Sequence, residues 1–393
     1  MVHLLLAVIY ISFISLGLPD GLLGAGWPTM YQEFQVPVSY AGAVYMIICA
    51  GTVISSLMSD RITRRFGSGM VTAVSVAMTA AAMFGFSISG SYWQLCLWAI
   101  PYGLGAGSVD ASLNNYVAIH YESRHMSWLH CMWGVGASVG PYIMEYALTG
   151  GHSWNMGYRY VFWIQGILVL VLFAALPMWK KRTGQSGNVE SKSEERPLTW
   201  KEIFSIPGAK EIMITFFTYA AVEQITALWS GSYLALGCGL SEEEAAGFAA
   251  LFFVGITVGR AISGFLTIKI NDTNMIRLGC GIITIGILIL FLPGVTAAKI
   301  GLILVGFGCA PVYPCIIHAT PEHFGEDKSQ AIVGIQIASA YCGNVTMPPL
   351  FGLIANHINI RLLPAFLLIA LIGLCLMHEH MLKKVKTNKS KIR

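Results

Sequence analysis

Gly51-Thr-Val-Ile-Ser-Ser56-Leu-Met-Ser-Asp60-Arg61-Ile-Thr63-Arg64-Arg65 carries an apolar run straight into a basic turn. The same pattern returns 208 residues later, where Gly259-Arg-Ala-Ile-Ser-Gly264 matches Gly51-Thr-Val-Ile-Ser-Ser56. Gly103-Leu-Gly105 ahead of Asp110 matches Gly306-Phe-Gly308 ahead of Tyr313 at an offset of 203, and Gly140-Pro141 matches Met347-Pro348 at 207. Three matches in order at nearly one offset read as an internal repeat. The chain is therefore expected to be two similar halves.

What surrounds these stretches sets the solvent. Of 393 residues, 55% are hydrophobic and 11% charged, against roughly 25% charged in a soluble domain, and the mean hydropathy is +0.65. A helix needs about 20 apolar residues to cross the hydrocarbon. Long continuous runs, rather than alternating ones, argue for helices over a closed barrel. Spans are expected near 3–25, 38–58, 67–89, 92–118, 127–149, 158–179, 208–236, 245–267, 275–294, 298–318, 329–351 and 360–381. The first run lacks a basic leader and a small-residue cleavage site, so it reads as an uncleaved first helix. The expectation is an all-α membrane protein of 12 transmembrane helices in two six-helix parallel pseudo-repeats. Residues 1–179 form the N-terminal bundle, 180–207 a polar linker, 208–382 the C-terminal bundle and 383–393 a basic tail.

Loop charge orients the chain. With the N-terminus inside, the connections facing the cytoplasm hold Arg61, Arg64 and Arg65, then Lys180, Lys181, Arg182, Lys192, Arg196, Lys201 and Lys210. The tail adds Lys383, Lys384, Lys386, Lys389, Lys391 and Arg393. The opposite side holds Arg159, Lys299 and Arg361, with an acidic run at Glu242, Glu243 and Glu244. Both termini are thus expected in the cytoplasm, and the membrane is read as the cell's inner membrane. Basic residues spread over loops do not form a nucleic-acid groove. The nine cysteines lie mostly inside apolar runs without paired spacing, which reads as packing rather than disulfides or metal.

The basic turn resembles the signature G-x-x-x-D-R-x-G-R-R of the major facilitator superfamily, with Ser56 and Thr63 in place of its glycines. The resemblance extends to the fucose permease branch. Gly103-Leu-Gly-Ala-Gly107-Ser-Val-Asp110-Ala-Ser-Leu-Asn114-Asn115 is similar to its Gly-rich fourth helix with an acid and an Asn four residues on. Leu18-Pro19-Asp20-Gly-Leu-Leu, His130-Cys-Met-Trp133-Gly-Val-Gly136 and Gly306-Phe-Gly308-Cys-Ala310-Pro311-Val-Tyr313-Pro314 are similar to its helices 1, 5 and 10. The resemblance implies a monomeric secondary transporter working by alternating access, with solute bound at mid-membrane. It implies that Asp60, Arg61 and Arg64 latch a gate, and that Asp20 and Asp110 couple protons to a sugar.

The residues themselves support that reading. Of 20 acidic residues, Glu211 and Glu379 fall within three residues of a span end, and Asp20, Asp110, Glu145 and Glu223 fall deeper within spans. A charge at mid-membrane costs roughly 2.5–3.5 kcal/mol on insertion scales, so such groups are neutral, paired or water-facing, and functional by default. Asp110 and Asn114 share a helix face at i, i+4, and Asp110 is the preferred proton site. By a ruler along the spans, Asp20 and Asp110 fall at different depths unless the chain breaks at Pro19. Glu145 reads as solvated near a helix end, His130 as either packed or a proton relay, and Arg260 as an anchor at a helix end.

Candidate solute-binding residues are Asn114, Asn115, Trp133, Tyr219, Glu223, Gln224, Tyr313, Gln336 and Asn344. Carboxylates and amides bond hydroxyls, and aromatic faces stack on the C–H faces of a sugar. No nucleotide loop, metal cluster or catalytic triad appears, so neither an enzyme nor an ATP-driven pump is expected, and no cofactor. The partners expected are a small solute, protons and the bilayer. The reading is proton-coupled symport of a sugar or sugar-like small polar solute. The alternative is a proton-coupled drug or metabolite exporter of the same superfamily.

Overall fold

The computed structural model describes residues 2–185 and 196–392. Lys192, Arg393 and the side chains of Lys180, Lys181, Arg182, Glu242, Glu243, Glu244, Lys389 and Lys391 lie outside the described residues. The first half runs α1 (Val2–Gly17), α2 (Leu22–Glu33), α3 (Tyr40–Phe66), α4 (Ser68–Ser87), α5 (Tyr92–His120), α6 (Ser123–Thr149) and α7 (Trp154–Gln185). The second runs α8 (Trp200–Ser205), α9 (Ala209–Ser232), α10 (Glu242–Leu266), α11 (Asp272–Leu290), α12 (Val295–His318), α13 (Thr320–Phe324), α14 (Glu326–Ile354) and α15 (Leu363–Ile392). With α1 and α2 as one broken span and the short α8 and α13 set aside, these are the twelve expected helices.

Among the described residues, eight stretches are long and apolar enough to cross a membrane, one of them running through both α14 and α15. α5 and α6 are outside that set. α5 carries Asp110, Asn114 and Asn115, and α6 carries His130. Elsewhere the molecule is apolar outward. Trp163, Ile167 and Leu170 of α7 are exposed along one stripe, at the i, i+4, i+7 spacing of a helix face. An apolar face of that kind needs lipid against it.

The structure divides into two compact units, Met1–Tyr116 with Leu129–Leu198, and Val117–Trp128 with Thr199–Arg393. The second opens on a capping box. The Thr199 N–H donates to the Glu202 carboxylate at 2.8 Å and the Thr199 hydroxyl accepts from the Glu202 N–H at 3.4 Å. In the same unit, His318 meets Asp272 at 2.6 Å and the Tyr121 carbonyl at 2.9 Å, and Ser123 donates to Asp272.

Small residues set the helix spacings, as lipid-embedded helices require. A Cβ on Gly136 of α6 would strike the Ile14 carbonyl of α1, one on Gly140 the Leu18 carbonyl, and one on Gly17 the Trp133 carbonyl. Between α3 and α5, a Cβ on Gly51 would meet Leu104 N at 3.0 Å. Between α10 and α12, one on Gly259, the repeat partner of Gly51, would meet the Phe307 carbonyl at 3.0 Å. The second and fourth long helices of each half are thus packed through equivalent glycines, which is the internal repeat expressed as structure.

Two details differ from expectation. Asp60, Arg61, Arg64 and Arg65 were expected in a loop, but α3 stays helical through Phe66. The i, i+4 pairing of Arg64 Nε with Asp60 Oδ1 at 2.8 Å supports its last turns. The basic tail is likewise a continuation of α15 to Ile392.

The packing makes a prediction. Gly136→Val should overpack the α1–α6 crossing by about 1–3 kcal/mol and lower the melting temperature of the detergent-purified protein. Gly24→Val, where a Cβ meets nothing within 4 Å, should leave it unchanged. Equal melting of the two variants would contradict the close approach.

Candidate functional site

In the first unit, Pro19 decides the geometry. Proline has no N–H to donate and its ring clashes with the preceding turn, so α1 stops at Gly17 and the chain resumes as α2 at Leu22. Local turns satisfy the freed backbone, with Asp20 N–H donating to the Gly17 carbonyl and Leu22 N–H to the Pro19 carbonyl, both at 3.1 Å. A break of this kind is tolerated inside a membrane protein where other protein groups satisfy it. It turns Asp20 toward α5 and α6. Its Oδ1 accepts from the Tyr102 hydroxyl at 2.9 Å and its Oδ2 from the Trp133 indole N–H at 2.9 Å. Asp20 is exposed to solvent.

Asp110, by contrast, is buried. The Asn114 amide spends both N–H groups on it, donating to Oδ1 at 2.7 Å and to its main-chain carbonyl at 3.0 Å. The amide oxygen lies 3.0 Å from His130 Nε2. With Asn114 oriented this way, Nε2 is the nitrogen that donates. His130 sits edge-on to Phe13 at 5.5 Å. A carboxyl, an amide and an imidazole thus form one chain across α5 and α6. Asn115 beside them is also buried. Among the described residues, neither Asp20 nor Asp110 takes part in an ion pair.

The second unit holds a different cluster. Tyr219 is buried and donates to the Cys309 carbonyl at 3.1 Å. Its ring lies 5.8 Å from that of Tyr313, which also meets Phe216 at 5.1 Å. Glu223, one turn on, accepts from Arg260 Nη2 at 3.4 Å. Arg260 is buried inside the bundle against α9, not anchored at a helix end as expected. Gln336 is fully buried and exchanges hydrogen bonds with Thr320 at 3.0 and 3.3 Å. Gln224 and Asn344 are half-buried.

The structure therefore brings together Asp20 with Trp133, Asp110 with Asn114, and Tyr219 with Tyr313. Gln336 is engaged elsewhere, with Thr320. Tyr102 was not among the residues singled out, His130 was left open between packing and a proton relay, and Arg260 was read as an anchor rather than a site residue. The partners of Tyr102 and His130 lie on other helices, 82 and 16 residues away, and no local spacing reveals them.

Bundles of long apolar helices with acids, amides and an ion pair inside them are the build of a membrane transporter. The chain belongs to the Major Facilitator Superfamily, whose family model matches residues 9–337. It is similar to "Bypass of stop codon protein 6" of Saccharomyces cerevisiae, at 24% identity over 390 residues, covering 90% of this chain and 77% of that one. Its fold is similar to that of FucP, a Major Facilitator Superfamily transporter solved in the outward conformation, with a TM-score of 0.78 at 13% identity over 96% of this chain and 98% of that one. It is also similar to the proton:xylose symporter XylE, solved bound to 6-bromo-6-deoxy-D-glucose, with a TM-score of 0.78 at 13% identity over 97% and 98%.

The Asp110–Asn114–His130 chain can be tested by unfolding. Asn114→Ala and His130→Ala should be non-additive, with a coupling of about 0.5–3 kcal/mol in a detergent unfolding titration. Additivity within about 0.3 kcal/mol would contradict the contact.

Proposed function

We propose that the chain carries out proton-coupled symport of a sugar or sugar-like small polar solute by alternating access. The observation that carries this reading is a pair of membrane-depth carboxyls in one unit, Asp20 exposed and Asp110 buried, bonded to neutral donors rather than to cations. Such a group can hold a proton without breaking an ion pair, which a cation-locked carboxylate cannot do. Asp20 and Asp110 are the proton carriers, and Asn114 with His130 fixes the geometry of the second. Trp133, Tyr219, Glu223, Gln224, Tyr313 and Asn344 are the solute-binding groups, and Asp60, Arg61 and Arg64 the gate. The likeness to a proton:xylose symporter supports the solute class. The basic residues at the ends of α3 and α15 support cytoplasmic termini in a cell membrane.

The test is solute-driven proton uptake in proteoliposomes, with a panel of hexoses, pentoses, polyols and their carboxylated derivatives. At least one member should drive uptake, and a flat panel would overturn the solute class. Asp110→Asn should abolish uphill accumulation while leaving counterflow exchange within a few-fold of wild type. Unchanged accumulation would remove Asp110 from the proton path.

A further inference from the structure

The reading above gives Glu223 a place among the solute-binding groups but leaves its partner Arg260 without a role. A guanidinium inside a membrane-embedded bundle is costly, and where one is kept it marks a substrate or ion path. The repeat shows that the fold does not require it. The position equivalent to Arg260 in the first half is Thr52, whose hydroxyl satisfies itself on the Ile48 and Gly103 carbonyls at 3.0 and 3.2 Å. The pair is also loose. Its N–O separation of 3.4 Å exceeds the 2.7–2.9 Å typical of a charge-assisted hydrogen bond. Arg260 is buried while Glu223 remains half-exposed. Tyr219 lies one helical turn before Glu223, and its ring stands 5.8 Å from that of Tyr313, which meets Phe216 at 5.1 Å.

We infer that the solute carries a carboxylate and that Arg260 binds it. This rests on the sugar-symport reading and names its solute class as a polyhydroxy acid, such as a hexuronate or aldonate. The planar guanidinium fork matches a carboxylate in two parallel bonds, which an ammonium or an amide does not. A neutral polyol needs no cation, since amides and carboxylates already supply donors and acceptors to hydroxyls. Glu223 holds the guanidinium when the site is empty. Its carboxylate then turns to a solute hydroxyl as the solute's own carboxylate engages Arg260. The aromatic wall takes the C–H face of the ring.

The test compares D-glucuronate, D-galacturonate and D-gluconate with D-glucose and D-galactose in proteoliposomes of the full chain. At least one acid should show a half-saturation concentration 10-fold or more below that of its neutral parent. Arg260→Gln should erase the difference by raising the half-saturation concentration of the preferred acid at least 10-fold. Arg260→Lys, which keeps the charge but loses the fork, should retain an intermediate preference and guards against a folding defect in the first variant. Neutral parents that drive proton uptake better than every acid would overturn this inference and leave the sugar-symport reading standing. Failure of every acid and every sugar would remove both. A preference for acids that survives Arg260→Gln would also overturn the role given to Arg260.

Discussion

The first unit depends on the near-contact of two helix backbones. α1 and α6 approach so closely that Gly17, Gly136 and Gly140 each have a main-chain carbonyl where a Cβ would be. Lipid offers no hydrophobic drive for helices to associate, so small residues that permit this approach supply the packing. The same crossing fixes the break at Leu18–Gly21. A Cβ on Gly21 would meet the Pro141 ring at 2.6 Å, so the broken segment is clamped along its length. From that clamp follows the position of Asp20, and from Asp20 the convergence of Tyr102 and Trp133. The geometry around Asp20 is thus a consequence of where three glycines sit.

The two halves reuse one packing scheme and fill it with different chemistry. Asp110 in α5 corresponds to Tyr313 in α12, and Thr52 in α3 corresponds to Arg260 in α10. One half keeps carboxyls bonded to neutral donors. The other keeps an ion pair beside aromatic rings. A repeat that preserves its glycines and exchanges its polar groups separates two requirements. The glycines answer to helix spacing, which both halves share. The polar groups answer to what each half must bind, which they do not share.

The fold was legible because its signal is long and redundant. Twelve apolar runs, a recurring offset near 208 and one-sided loop charge all point to the same architecture. The site was legible where the signal stayed within one helix, as with Asp110 and Asn114 at i, i+4. The break at Pro19 could be suspected from the sequence, because proline within a helical run has a local cost. The boundary of the first span could not, since α2 continues to Glu33 through residues too polar for a hydropathy ruler. Contacts across helices were invisible. Arg260 was read as an anchor because position along a span gives depth only approximately. Its pairing with Glu223, 37 residues away, depends on the rotation of α9 and α10 about their own axes. The basic turn after Asp60 read as a loop because its charges suggested water, whereas the Asp60–Arg64 pair extends the helix.

The central claim is that Asp20 and Asp110 take up and release a proton. Infrared difference spectroscopy of the purified protein across a pH titration observes this directly, through the carbonyl stretch of a protonated carboxyl. The account predicts a titrating band that loses intensity in Asp20→Asn and again in Asp110→Asn. A spectrum in which neither substitution alters any titrating carboxyl band would contradict it.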